Sequence, residues 1–108
     1  MKLTYLSHSC FLIKTGDHTL LIDPFLSGNP KAQMSADDVS CDYILITHGH
    51  ADHVGDAAAI AKRTGATIIS TYEVALHCGN QDVDVHPMHI GGGHDFDFGR
   101  VKLTIAHH

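Results

Sequence analysis

The stretch YILITHGHADH, residues 43–53, joins an apolar run directly to a cluster of histidines. Residues 43–47 are rich in β-branched and aromatic side chains, which is typical of a buried strand. Residues 54–64 predict a helix, because AAAIA at residues 57–61 has strong helix propensity. The cluster is therefore expected on a loop between a strand end and a helix N-terminus, where several side chains can turn toward one point.

The cluster has the composition of a metal site. His48, His50, Asp52 and His53 supply imidazole nitrogen and carboxylate oxygen, which borderline divalent metals prefer. His48 and His50 point to one side in extended geometry, whereas Asp52 and His53 begin the turn into the helix and can face a neighbouring position. Two ligand pairs with different directions favour two adjacent metals, an arrangement used for hydrolysis. Histidine makes up 11 of 108 residues, so chance clustering is the alternative, but the spacing argues against it.

The rest of the chain predicts strands first and β-α-β units afterwards, which indicates an α/β sandwich in one domain, residues 1–108. A loop is expected over residues 24–42, with a helical turn that Ser35 caps, and Asp52 is expected to cap the helix after the cluster. A second, short helix is predicted over residues 71–78. Besides residues 43–47, strands are predicted at residues 2–7, 10–15, 19–23, 67–70, 83–90, 94–98 and 101–106.

The HxHxDH pattern after a buried strand resembles the signature of the metallo-β-lactamase superfamily. The resemblance extends to the UlaG-like branch and its UPF0173 metal-dependent hydrolases through SHSCFLI at residues 7–13, LIDPF at 21–25, PMHIGG at 87–92 and FDFG at 96–99. Members of that family are longer and form a four-layer αββα sandwich from two similar halves. The resemblance covers only the first half, so it implies half of that sandwich, a mixed β-sheet with flanking helices.

The resemblance also implies a ligand set. His48, His50 and His108 would form a three-histidine site, and Asp52 and His53 would begin a second one. Up to two divalent ions are expected per complete site, zinc first, with manganese or iron as alternatives. The bridging aspartate and the final histidine of the family have no counterpart here. His107 and His108 are read either as native residues or as the start of a purification tag.

Asp52, His8 and Asp23 are expected to act around the metals. The resemblance suggests that Asp52 orients the water nucleophile, and that His8 faces the cleft and binds substrate or shuttles a proton; a structural histidine is the alternative for His8. Asp23 ends an apolar strand, and a buried charge there needs partners. We expect it to accept a hydrogen bond from a ligand histidine or from loop amides; the alternative is a turn-initiating aspartate before Pro24.

Two functions are compatible with these residues. In a metal-dependent hydrolase, a metal-bound hydroxide attacks an ester, lactone, amide or phosphodiester in a small-molecule substrate. The alternative is a non-catalytic metal-binding half-domain that self-assembles into a dimer. Either way, half of a sandwich should leave an apolar sheet face uncovered, which predicts self-association.

Composition narrows the partners. The formal charge of −5 argues against binding to nucleic acid. No apolar run approaches the roughly 18 residues that a membrane-spanning helix needs. The chain enters a strand at once, without a signal-peptide pattern, so a cytoplasmic location is expected. The three cysteines contain no CxxC pair, which excludes a zinc ribbon. We expect Cys10 to be a buried thiol and Cys78 to be exposed.

Overall fold

The computed structural model describes residues 1–107. Within them the chain forms eight strands and three helices: β1 Lys2–Ser7, β2 Cys10–Thr15, β3 His18–Ile22, β4 Tyr43–Leu45, α1 Ala51–Val54, α2 Ala57–Thr64, β5 Thr67–Thr71, α3 Tyr72–Gly79, β6 Val85–Met88, β7 Gly93–Phe96 and β8 Gly99–Lys102. This mixed α/β arrangement confirms the predicted fold class. The predicted metal ligand His108 lies outside the described residues.

Strands β1 to β6 form one sheet in sequence order. β1, β2 and β3 pair antiparallel, and β3 to β6 pair parallel. The parallel pairs need crossovers, which the helices supply. β7 and β8 form a separate antiparallel hairpin. Because β3 to β6 run in the same direction, their carboxyl ends meet at one edge of the sheet.

The two faces of the sheet bury different sets of side chains. Leu12, Leu21, Ile44 and Ile68 occupy one register row and lie in a core with α2 and residues 24–42. The opposite face contacts the β7–β8 hairpin through a smaller cluster, which contains Tyr43, Leu45, Ile69, Met88, Phe96, Phe98, Val101 and Leu103.

Part of that second face is bare within residues 1–107. Leu3 pairs with Ile13, which pairs with Leu20, so Leu3 lies in the row of Tyr43. Tyr5 pairs with Phe11 in the neighbouring row, that of Leu45, on the same face. Leu3 is 63% exposed and Tyr5 is 56% exposed. The expected uncovered apolar patch is therefore present over β1.

The predicted helix after the histidine cluster is two helices, since α1 ends at Val54 and α2 begins at Ala57. Gly55 breaks it with a φ of 47°, and the Asp56 amide donates to the Pro24 carbonyl at 3.0 Å. The prediction that Asp52 caps the helix is wrong, because it lies inside α1 and His50 occupies the N-cap. Ser35 does cap a turn as predicted, by accepting from the Asp37 amide at 3.3 Å.

Several predicted strand bounds were also too long. β4 ends at Leu45 instead of residue 47, and β6 spans only part of residues 83–90. The hairpin strands lie about two residues earlier than residues 94–98 and 101–106 suggest. Apolar residues continue past the last paired residue in β4 and β8, so hydrophobicity alone misplaces those ends.

Replacing Gly55 by alanine should destabilise the fold strongly, because a Cβ there would lie 2.3 Å from the Pro24 carbonyl oxygen, a backbone atom. We expect a loss of about 2–4 kcal/mol, from overpacking together with the positive φ. Denaturant unfolding measures it. Gly65→Ala is the matched control: Gly65 also has a positive φ of 79° but open space around it. Equal losses in the two variants would contradict the close-approach argument.

The three cysteines are buried and free. The prediction for Cys10 is confirmed; the expected exposure of Cys78 is wrong, since Cys78 packs into the core from α3. Burial raises the pKa of Cys10 from 9.0 to about 12 and that of Cys41 to about 11. A nucleophilic thiolate is therefore disfavoured at both positions.

These raised pKa values predict that the thiols are unreactive in the folded chain and that the folded chain loses stability at high pH. The native chain should react negligibly with a thiol reagent at pH 8, whereas the chain in denaturant should react at all three cysteines. In the unfolded chain the thiols ionise near 9.0, well below the folded pKa of Cys10. Stability should therefore fall as the pH rises from about 9 toward about 12, as pH-dependent denaturation would measure. Rapid native labelling would contradict the buried placement.

Candidate metal centre

The histidine cluster lies at the edge of the sheet where the parallel strands end. Asp23 directly follows β3, and residues 46–50 lead from β4 into α1. The turn between β1 and β2 reaches the same edge, since Phe11 near the start of β2 pairs with Ile22 at the end of β3. Carboxyl ends of parallel strands are the usual position of ligand sites in α/β folds.

Asp23 is a buried acceptor that connects Thr47 and His53. It is 1% exposed and has a φ of 44°. Its Oδ1 accepts from the Thr47 amide at 2.8 Å, and its Oδ2 accepts from the Thr47 hydroxyl at 2.6 Å. Oδ2 also lies 2.9 Å from Nδ1 of His53. The carboxylate thus contacts both a loop amide and a histidine of the cluster, which accounts for a buried acidic group.

These contacts assign the histidine tautomers. A carboxylate only accepts, so Nδ1 of His53 donates to Asp23, and in the neutral ring Nε2 carries the lone pair. The single hydroxyl proton of Thr47 goes to Asp23, so Thr47 Oγ1 accepts from Nδ1 of His48 at 2.9 Å. Nε2 of His48 then also carries the lone pair. In both neutral rings Nε2 is then the nitrogen left to bind a metal, as in proteins that orient ligand histidines through hydrogen bonds at the other ring nitrogen.

Thr47 is the residue that sequence reasoning missed. It joins Asp23 to His48, and the usable signal was a hydroxyl side chain directly before the first histidine of the cluster. From the sequence, Thr47 is predicted only as the last residue of the strand over residues 43–47.

Asp52 lies between two imidazoles. Its Oδ2 is 3.4 Å from Nε2 of His8, and its Oδ1 is 3.8 Å from Nε2 of His53. One ligand atom from each of these three residues lies within 4.8 Å of the others. Asp52 is 51% exposed, His8 37% and His53 16%, so the group opens to solvent on the Asp52 side.

His48 and His50 adjoin this group. The ring centroids of His48 and His53 are 4.0 Å apart, and those of His48 and His50 are 4.9 Å apart. The structure therefore brings the four residues of the HxHxDH pattern and His8 to one edge. Nitrogen and oxygen donors with oriented Nε2 atoms fit a borderline divalent ion.

An apolar groove of about 340 Å³ borders the site. Thr47, whose hydroxyl contacts Asp23, forms one end of its lining. The rest of the lining comes from the strand ends and residues 101–106. It is apolar or threonine, as at Ile22, Leu45, Ile69 and Thr71, except for Lys102.

The other histidines lie apart from Asp23. His77, His89 and His94 are exposed, whereas His18 and His86 are half-buried. The ring centroid of His86 lies 4.4 Å from that of His94. Burial, followed by the neighbouring His94, lowers the pKa of His86 below its usual value.

A family model described as the metallo-beta-lactamase superfamily matches residues 3–107. The chain belongs to this superfamily. It is 53% identical over 108 residues to a UPF0173 metal-dependent hydrolase of Bacillus cytotoxicus, and 56% identical over 109 residues to one of Shouchella clausii. Each match covers 100% of this chain and 48% of the relative. The predicted resemblance is confirmed, and the chain spans about half the length of these relatives.

Solved structures confirm the fold. Igni18, a metallo hydrolase from Ignicoccus hospitalis, superposes with a TM-score of 0.78 at 32% identity, over 88% of this chain and 42% of that one. An isothiocyanate hydrolase from Delia radicum gut bacteria gives a TM-score of 0.67 at 20% identity, over 90% and 44%. Among residues 1–107, no helix combines the length and apolarity needed to cross a membrane.

Proposed function

We propose that this chain is the metal-binding part of a metal-dependent hydrolase. The observation that carries the proposal is the bonding around Asp23, which leaves Nε2 of neutral His48 and His53 as lone-pair donors, that of His53 beside the Asp52 carboxylate. Ligand histidines usually donate their other ring N–H to such a partner, and here Asp23 accepts from His53 directly while Thr47 accepts from His48. The superfamily membership of the chain supports the same function.

The reaction proposed is hydrolysis of an ester, lactone, amide or phosphodiester. A bound divalent ion, zinc first, would polarise the scissile group and lower the pKa of a water molecule. Asp52 is exposed and can accept a hydrogen bond from an attacking water. The water-orienting role of Asp52 and the substrate or proton role of His8 stay predictions. The apolar groove beside Thr47 has the size of a small-molecule site, which supports a small-molecule substrate.

Metal content and hydrolysis together test this proposal. The chain, purified without chelators, should contain zinc, manganese or iron by elemental analysis, and chelation should remove any hydrolysis of aryl ester, lactone and phosphodiester probes. Asp52→Asn should abolish that hydrolysis, whereas Asp38→Asn, an exposed aspartate in the 24–42 loop, should not. A metal-free chain that takes up no added metal would overturn the proposal.

A second candidate is the non-catalytic half-domain that self-assembles. The bare apolar positions Leu3 and Tyr5 favour it, since exposed apolar patches mark association surfaces. Light scattering should then show a dimer, and Leu3→Lys together with Tyr5→Lys should give a monomer. Metal binding with no hydrolysis, in a chain that dimerises through this face, would favour this candidate over the hydrolase. A cytoplasmic location is proposed for both, since the three thiols are free.

A further inference from the structure

His8 contacts the cluster from a part of the chain far from the HxHxDH pattern. Its Nε2 lies 3.4 Å from Oδ2 of Asp52, and its ring centroid lies 5.1 Å from that of His53. The 3.4 Å separation is longer than the roughly 2.7–3.2 Å of an ordinary N–H···O hydrogen bond. The 3.8 Å between Asp52 Oδ1 and Nε2 of His53 is longer still. Asp52 thus lies between two imidazole nitrogens without a short hydrogen bond to either.

The 3.4 Å between Nε2 of His8 and Oδ2 of Asp52 matches the distance between two ligands that share an ion. Nitrogen and oxygen ligands bind zinc at about 2.1 Å in tetrahedral geometry. Two such ligands then lie roughly 3.4 Å from each other, which is a consequence of the tetrahedral angle. The 3.4 Å to His8 is measured from Oδ2 of Asp52 and the 3.8 Å to His53 from Oδ1. One ligand atom from each of the three residues lies within 4.8 Å of the others, so one ion fits between them.

The backbone holds His8 in an unusual conformation. Ser7 has a φ of 116° and His8 a φ of 57°, and the β1–β2 register shifts between Tyr5 and Ser7. Bulges of this kind re-aim side chains, and positive φ at non-glycine residues persists only where the surroundings enforce it. The hydroxyl of Tyr5 donates to the His8 carbonyl at 2.9 Å. The edge of the His8 ring packs on Phe25, with ring centroids 5.5 Å apart.

The other two members of the group are also placed independently of any ion. His53 is fixed by its hydrogen bond to the buried Asp23, which leaves Nε2 on the side of Asp52. The backbone of Asp52 is held in α1, directly before His53. Three donors of the right type therefore converge on one exposed point, and two of them, His8 and His53, are held by contacts outside the group.

We propose that His8 is a metal ligand which completes, with Asp52 and His53, a three-ligand site. The inference rests on the proposed metal binding and adds to it a ligand that the HxHxDH pattern does not contain. Two nitrogens and one oxygen leave an open position, as catalytic sites do. Residues 8–53 alone then hold one divalent ion, with no ligand needed from beyond residue 107. Substrate binding or proton transfer through Nε2 of His8 is excluded while that atom binds the ion.

Cobalt(II) titration of the 108-residue chain tests the ligand role, with absorption spectra as readout and zinc competition for affinity. His8→Ala should weaken binding by about 100-fold or more, beyond the roughly 10–100-fold effect of losing an orienting partner. His18→Ala is the control, because His18 begins β3 and so lies roughly 13 Å from the other end of that five-residue strand. It should leave binding unchanged. Circular dichroism checks that each variant folds.

His8→Cys gives a direct spectroscopic test. If residue 8 binds the ion, cobalt in this variant should show a thiolate-to-metal charge-transfer band. The wild-type chain should lack the band, since its own thiols are buried. Unchanged affinity in His8→Ala together with no such band in His8→Cys would overturn the inference.

The same measurements distinguish failure of the His8 ligand role from failure of the proposed metal binding. Loss of binding in His53→Ala with full binding in His8→Ala would leave the metal site standing and remove only His8 from it. A wild-type chain that binds no cobalt or zinc would overturn both. Weak binding in His8→Ala and the new band in His8→Cys would support both.

Discussion

Replacing Asp23 by alanine should lower the free energy of unfolding by about 3–5 kcal/mol, the range for removing one partner from a buried charged network. The change leaves the Thr47 amide, the Thr47 hydroxyl and Nδ1 of His53 without their common acceptor. It also places an alanine at a φ of 44°, where aspartate and asparagine are better tolerated. Denaturant unfolding followed by circular dichroism measures the loss.

Asp23→Asn removes the negative charge of this side chain but keeps its size and shape. Asparagine tolerates the same φ and keeps one acceptor oxygen, so we expect a smaller loss of about 1–3 kcal/mol. Because the amide cannot accept from Thr47 and His53 on both sides, metal affinity should still fall by about 10–100-fold. Asp38→Ala, at an exposed position, should change stability by less than about 0.5 kcal/mol. A loss below about 1 kcal/mol in Asp23→Ala would contradict the central position of this carboxylate.

The sequence was most informative where residue type and position agree. The apolar run before His48 placed the central strand, and AAAIA placed the second helix, because strand and helix preferences there are strong and local. Asp23 could be anticipated as a buried acid with partners because an apolar strand ended in a carboxylate. These inferences depend on neighbouring residues only.

What the sequence could not provide depends on contacts between distant segments. The break at Gly55 follows from the close approach of Pro24, which lies 31 positions earlier in the chain. The placement of His8 beside Asp52 follows from a bulge and from strand pairing, neither of which has a local signature. Thr47 acquired its role only when Asp23 and His48 were brought to either side of it.

Metal binding should stabilise this chain by an amount that depends on the metal concentration. The ligand atoms converge only in the folded state, so an ion that binds there and not to the unfolded chain adds about 4 kcal/mol at 1,000 times its dissociation constant. For a domain of this size that corresponds to a rise in Tm of roughly 15 °C or more. Thermal unfolding with and without zinc measures the shift.

His53→Ala should abolish most of that stabilisation, since His53 contacts both Asp23 and Asp52 and its Nε2 faces the group. The variant is expected to lose some stability without metal, because Asp23 loses a partner, so the shift on adding zinc is the quantity compared. His18→Ala, at the opposite end of β3, should retain the full shift. Equal shifts in the two variants would mean that zinc stabilises the chain from somewhere else, and would remove the physical basis for placing the metal at this edge.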